Sequence, residues 1–167
     1  VGPFEAITRL SGNQHPRFMV EDDMTGSPIP ASALSHDGKP GLLRVGPGTA
    51  RVDKQLDFTV RGGNALPPNS KATWTGVLTI AKGAEYWLYL QALGTGASLF
   101  LDGRPIAVTG AYPGDVHGEI LQANQDNVVP TTDGLDNVRR SLQLTAGQHS
   151  IQVLINPDPS DRPVHVR

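Results

Sequence analysis

The sequence predicts an antiparallel β-sandwich. Three observations lead there. Apolar and polar residues alternate in several short runs, and those runs are enriched in β-branched and aromatic side chains. Between them, 19 glycines and 14 prolines spread along the chain supply turns. No long helix-period segment interrupts the pattern, and 167 residues suffice for one domain with a real core.

Residues 1–40 differ from the rest. VGPFEAITRLSG holds one short element, whereas NQHPRFMVEDDMTGSPIPASALSHDGKPG is dense in Pro, Gly, Ser and Asp. The second stretch reads as an extended, linker-like segment lying over a surface, anchored locally by Met19 and Val20. The sandwich domain is expected over 41–167. Leu42 to Val45 is the first strand, and QLDFTV (55–60) follows with Leu56, Phe58 and Val60 alternating. In ATWTGVLTIA (72–81), Trp74, Leu78 and Ile80 share one face, and Thr73, Thr75, Val77 and Thr79 share the other. AEYWLYLQA (84–92) is the next strand. ASLFL (97–101) and RPIAV are joined by Asp102-Gly103, a hairpin signal because both turn positions favour positive φ. SLQL (141–144) and QHSIQVLI (148–155) flank Thr145-Ala146-Gly147, with His149, Ile151, Val153 and Ile155 on one face. Val164 to Arg167 opens a last strand that is cut short, and HGEILQANQDN holds at most a turn or two of helix. The period-2 faces place Trp74, Tyr86, Leu88, Leu90, Leu99, Leu101, Leu142, Ile151 and Val153 in the core.

Charge and composition exclude several functions. With 14 Lys+Arg against 16 Asp+Glu, the net charge is -2, which gives no electrostatic footprint for nucleic acid or an anionic membrane. No apolar run approaches the roughly 20 residues of a membrane-spanning helix. Absence of cysteine rules out disulfides and thiolate metal sites and leaves the compartment open. The start at VGPF, without Met or leader, reads as a mature chain, a fragment or an excised domain.

Two groups of motifs carry a resemblance. WTGVLTIAKGAEYWLYLQALGTGASLFLDGRPI (74–106) and LTAGQHSIQVLI (144–155) contain, in order, a Trp-x-Gly strand, a strand that opens on Gly83 and carries Tyr86, a short strand ending in Asp-Gly, and an Ala-Gly-x-His strand. Over about 42–160 the chain resembles the fourteen-kilodalton domain named after a bacterial toxin's protective antigen. Further, PIPASALSHDGKPGLLR (28–44), VDKQLDF (52–58), DGLDNVRR (133–140) and DPSDRPVHVR (158–167) are similar to segments seen where that domain is inserted into bacterial family 3 glycoside hydrolases, which include β-glucosidases and β-xylosidases. The resemblance implies a retaining hydrolase as parent, its catalytic domains as partners, an oligosaccharide or glycoside as substrate, and a periplasmic or secreted setting.

It also implies that this chain is not the catalyst. Retaining chemistry needs two carboxyls about 5–5.5 Å apart. The family nucleophile resembles Ser-Asp-Trp, and the nearest match, Ser160-Asp161-Arg162, lacks the Trp and reads as a terminal turn. Catalytic residues, cofactor and metal are therefore each expected to be none. Relatives in yeast adhesins hold calcium through two adjacent aspartates, but the matching stretch Leu93 to Ala97 has no carboxylate. Glu21-Asp22-Asp23 reads as a solvated cluster. None of His15, His36, His117, His149 and His165 has ligand spacing to another, and His149 reads as a satisfied core histidine.

Sugar contact is expected in two places. The long 109–137 region gathers Tyr112 and His117, with Asp115, Gln122 and Asn124 to hydrogen-bond hydroxyls. On 84–92, Trp87 and Tyr89 face away from Tyr86, Leu88 and Leu90, so they either form a stacking platform or are covered by residues 1–40 or by the parent. Three functions fit: an accessory domain shaping a hydrolase entrance, an independent carbohydrate-binding module, and a structural spacer or oligomerisation domain.

Overall fold

The computed structural model describes residues 2–12, 23–60, 62–110, 126–157 and 161–167. They form a helix α1 (Pro3–Ser11), a single 3-10 turn (Ala31–Ala33) and the strands β1 (Leu34–His36), β2 (Lys39–Pro40), β3 (Leu42–Gly46), β4 (Thr49–Asp53), β5 (Ala72–Ile80), β6 (Ala84–Leu93), β7 (Thr95–Leu101), β8 (Arg104–Thr109), β9 (Asp126–Val128), β10 (Asp136–Leu144), β11 (Gly147–Pro157) and β12 (His165–Val166). The larger sheet runs β2-β1-β5-β11-β7-β8. There β3 shares with β1 one edge of β5, and β4 pairs with β3. The smaller sheet runs β12-β6-β10-β9, and every pairing in both sheets is antiparallel. This is the all-β sandwich that the alternation predicts.

Burial follows the period-2 faces. Trp74, Leu90, Leu99, Leu101, Ile151 and Val153 are buried, and Tyr86, Leu88 and Leu142 pack half-buried against them. Full burial of such a side chain is worth roughly 1.5–3 kcal/mol. The chain changes sheet between β5 and β6, between β6 and β7, between β8 and β9, between β10 and β11, and between β11 and β12. At the second crossing Gly94 holds φ 70°, and a Cβ there would lie 2.7 Å from the carbonyl oxygen of Pro163. Only glycine fits that combination. The β7–β8 hairpin turns on Asp102 (φ 50°) and Gly103 (φ 72°), as the sequence predicts.

Other parts differ from the sequence reading. The expected strand over 55–60 does not form: Phe58 makes one isolated bridge, to Val166. The chain turns there instead, because Thr59 Oγ1 accepts the Gly62 amide (2.9 Å) and donates to Asp57 Oδ1 (3.2 Å), leaving Val60 exposed. The short element expected in VGPFEAITRLSG is α1, but the linker-like stretch after it is not merely extended: β1 and β2 join the larger sheet, with Leu34 opposite Leu78 and buried. Strand β4 has no clear counterpart in the sequence pattern. Met19, Val20 and residues 111–125 lie outside the described residues.

A buried polar centre sits under β3 and β4. Asp53 Oδ2 accepts the Trp74 indole N–H (2.9 Å) and lies 3.0 Å from Arg44 Nε, while Asp53 Oδ1 accepts Arg51 Nε–H (2.9 Å). The Arg44 guanidinium stacks 5.0 Å from the Phe58 ring centroid and 5.9 Å from that of Trp74.

Candidate functional site

The outer face of β6 and β10 carries the exposed aromatic group. Alternation on β6 sends Trp87, Tyr89 and Gln91 to the face opposite Leu88 and Leu90. The register sets Trp87 opposite Ser141 and Tyr89 opposite Arg139. From that diagonal position the Arg139 guanidinium lies 4.4 Å from the Trp87 ring centroid, a cation–π contact that fixes the ring. Trp87 remains 44% exposed, the one aromatic among the exposed large hydrophobic residues described. Glu85, two residues back on the same face, accepts the Ser141 hydroxyl. The result is an open indole ring beside a carboxylate, a hydroxyl and a guanidinium. Such a surface offers an apolar ring face for stacking and polar groups for hydrogen bonding.

Tyr89 does not share that exposure. The segment 23–26 crosses its ring, and the Tyr89 hydroxyl donates to the Asp23 carbonyl. Gly26, at φ 62°, lies so close that a Cβ would sit 2.8 Å from Tyr89 Cδ2. Asp23 Oδ1 holds this crossing in shape by accepting the amides of Thr25 (3.0 Å) and Gly26 (3.0 Å). Those two bonds keep the Asp23 carboxyl below its usual range. Further along, Gln91 Nε2 donates to Thr25 O (2.8 Å) and Asn137 Oδ1 (3.0 Å), and Gln91 Oε1 accepts Arg167 Nε–H (2.7 Å). A cavity of about 530 Å³ opens beside this network, lined among others by Trp87, Tyr89, Gly26, Ile29, Leu56 and Arg167.

Of the sequence-predicted contacts, Trp87 and Tyr89 are thus on one face, one open and one covered. Tyr112, Asp115, His117, Gln122 and Asn124 lie outside the described residues. The chain returns from that region at Asp126, whose Oδ2 is 3.5 Å from Arg139 Nε. Sequence reading missed Arg139, Gln91 and Asn137 as members of this face. The signal available was parity with the aromatic residues, which is usable only once β6 and β10 are in register.

His149 is a satisfied histidine, as predicted. Its Nδ1 is 2.7 Å from Asp102 Oδ2 and its Nε2 is 3.0 Å from the Thr145 carbonyl. Both ring nitrogens face acceptors, so the doubly protonated ring fits best. The Asp102 carboxylate chiefly, and the Thr145 carbonyl next, raise the His149 pKa above its usual value. Asp102 is lowered in return, chiefly by His149. Among the described residues no cluster of three His, Cys, Asp or Glu side chains is placed to hold a metal.

No family model matches the chain, and no curated protein matches it. Among solved structures, it is similar to a β-glucosidase from Kluyveromyces marxianus, with a TM-score of 0.56 and 16% identity. That likeness covers 100% of this chain and 21% of the other. A second structure of β-glucosidase from that organism, in complex with glucose, gives a TM-score of 0.51 and 16% identity over 96% of this chain and 22% of the other. The likeness shows a shared fold. The chain spans about a fifth of the length of the structures it resembles.

Proposed function

We propose that this chain is a non-catalytic accessory domain of a family 3 glycoside hydrolase of β-glucosidase type, contacting carbohydrate through its exposed face and loops. The observation that carries this reading is the extent of the fold match: all of this chain aligns with one fifth of a β-glucosidase. The protective-antigen-type motifs of the sequence support it. In this reading the chemistry belongs to domains outside these residues, and the chain narrows or lengthens the path to them. The Trp87 ring supplies a stacking surface. The loop between β8 and β9, with Tyr112 and His117 leading and Asp115, Gln122 and Asn124 beside them, reaches substrate. That assignment is supported by Asp126, which brings the end of the loop to Arg139 and hence to the Trp87 ring.

The test is the reading frame on either side of these residues, followed by assay of its product. The expected result is a hydrolase with a Ser-Asp-Trp nucleophile segment, active on aryl β-glucosides, alongside an isolated chain without turnover. A reading frame with no glycosidase domain, or turnover by the isolated chain that one Asp or Glu substitution abolishes, overturns the proposal. The open Trp87 ring favours a second reading, an independent carbohydrate-binding module. Affinity of the isolated chain for β-linked oligosaccharides, lost in Trp87→Ala, would select it.

A further inference from the structure

A second cleft lies elsewhere, between the β3–β4 hairpin and residues 54–71, and has a volume of about 920 Å³. It is a ligand-sized opening. Its charged lining is unbalanced: Arg44, Arg51, Lys54 and Lys71 face two carboxylates, Asp53 and Asp57. The chain as a whole carries -2, so this concentration of cations runs against the overall charge.

The carboxylates do not neutralise the cations. Asp53 is shared between Arg44, Arg51 and the Trp74 indole, and Asp57 accepts the Thr59 hydroxyl. Arg44 is the telling residue. It is only 8% exposed, and its guanidinium face is held over Phe58 and Trp74. Its Nε lies 3.0 Å from Asp53 Oδ2, yet it makes no hydrogen bond of good geometry. Among the described residues its terminal nitrogens make no hydrogen bond, although Arg44 lines the cleft. Burial chiefly disfavours its charge, with Asp53 opposing and Arg51 adding to the effect. A planar fork clamped by two rings beside one shared carboxylate is preorganised for a second carboxylate, which it can engage bidentately.

The remaining lining is not that of a simple ion site. Asn64 and Asn69 bring side-chain amides, and Ala65, Leu66 and Pro67 give an apolar strip. Amides for hydroxyls, an apolar strip for ring C–H groups and a guanidinium for a carboxylate together match an acidic sugar. We infer that this cleft binds a uronic acid residue of a saccharide, with Arg44 engaging the carboxylate, and Lys54 and Lys71 adding attraction from the rim. The sugar half of the assignment rests on the carbohydrate reading above; the anion half stands on the cleft alone.

The experiment titrates the whole chain, by calorimetry and by amide chemical shifts, with four probes: a β-linked glucuronic acid disaccharide, the neutral glucose disaccharide of the same linkage, acetate, and a pentaglutamate peptide. The expected result is shifts confined to residues 44–72, with the acidic disaccharide binding about tenfold or more tightly than the neutral one or acetate, as a charged hydrogen bond permits. Affinity falls as salt is raised. Arg44→Met weakens binding by about tenfold or more. Because that variant removes a buried partner of Asp53 and can unfold, Lys54→Ala and Lys71→Ala carry the test independently. Both residues are exposed, and each loss weakens binding by about two- to fivefold while leaving the melting temperature unchanged. Equal binding of the neutral disaccharide or of acetate overturns the assignment, as does tighter binding of the peptide or no binding at all. None of these outcomes touches the accessory-domain reading, which the flanking reading frame decides. Conversely, a frame without a hydrolase leaves an acidic-disaccharide site standing.

Discussion

The buried carboxylate of Asp53 offers the sharpest perturbation. Its side chain is 9% exposed and stands between the Arg44 and Arg51 guanidinia, with the Trp74 indole as a third donor. Asp53→Asn preserves shape and one acceptor but removes the charge. Arg44, 10% exposed at its side chain, then keeps a buried positive charge with no counter-ion. Breaking a buried pair from one side costs about 3–5 kcal/mol. For a domain of this size each kcal/mol moves the midpoint by about 2–4 °C, so the expected fall is about 6–20 °C. Arg51 separates the two sources of that loss. Its side chain is 58% exposed, so Arg51→Ala is expected to cost at most about 1 kcal/mol. The double change Asp53→Asn with Arg44→Met is expected to recover much of the single-site loss, because an apolar side chain leaves no charge to strand. Thermal and urea melts of the native chain, the single variants Asp53→Asn, Arg51→Ala and Arg44→Met, and the double variant measure all of this. A loss below about 1 kcal/mol in Asp53→Asn, or a double variant as weak as the sum of its parts, would refute the argument.

Other outcomes follow from other contacts. Trp87→Ala is expected to leave the fold intact, because the ring is 44% exposed, while weakening oligosaccharide binding or outer-subsite kinetics by about 0.5–1.5 kcal/mol. Gly26→Ala places a methyl 2.8 Å from the Tyr89 ring at a positive φ, so hydrogen exchange at the Thr25 and Gly26 amides should accelerate markedly; unchanged protection would contradict the crossing described here. The His149–Asp102 pair has a definite pH signature. A raised histidine stabilises the fold below its ordinary pKa of 6.5 and loses that contribution as pH rises through its higher folded value, while a lowered Asp102 stabilises above 3.8 and loses its contribution as pH falls through its lower folded value. The melting-temperature difference between the native chain and His149→Gln should therefore be largest between 3.8 and 6.5 and shrink above that window. If the chain is the proposed hydrolase accessory domain, Tyr112→Ala in the full-length protein is expected to slow longer substrates more than a minimal aryl glucoside, and an equal effect on both would assign residues 109–137 to structure.

The legible part of the fold is the part with one buried face. In β5 and β11, alternate residues are buried in the core, so the period of two is written in side-chain types. The Asp102-Gly103 turn is local chemistry and needs no partner to be read. Strand β4 was illegible because its residues are exposed or half-buried throughout, so TARVD carries no alternation. β1 and β2 are three- and two-residue pieces at one end of the larger sheet, too short for a period. The opposite error arose at Leu56, Phe58 and Val60. Their alternation is real, but a Thr59-centred turn consumes the backbone that a ladder needs. The same limit applies to the candidate site. An exposed Trp87 can be guessed from parity, whereas its contact with Arg139, far along the sequence, depends on a register that only the folded sheet supplies.

The last strand has a consequence for how the molecule is made. Val164 and Val166 are fully buried. They bridge to Leu66 and Phe58, while β12 aligns His165 with Leu93 and Val166 with Ala92. Every partner of β12 is therefore synthesised long before β12 itself. Until residues 164–167 leave the ribosome, one edge of β6 and the apolar sides of Phe58 and Leu66 wait uncovered. Such a nascent chain presents a free strand edge beside hydrophobic surface, the combination that recruits holding chaperones or mispairs with neighbours. A truncation that removes only these few residues should thus show itself first as poor yield and aggregation during expression.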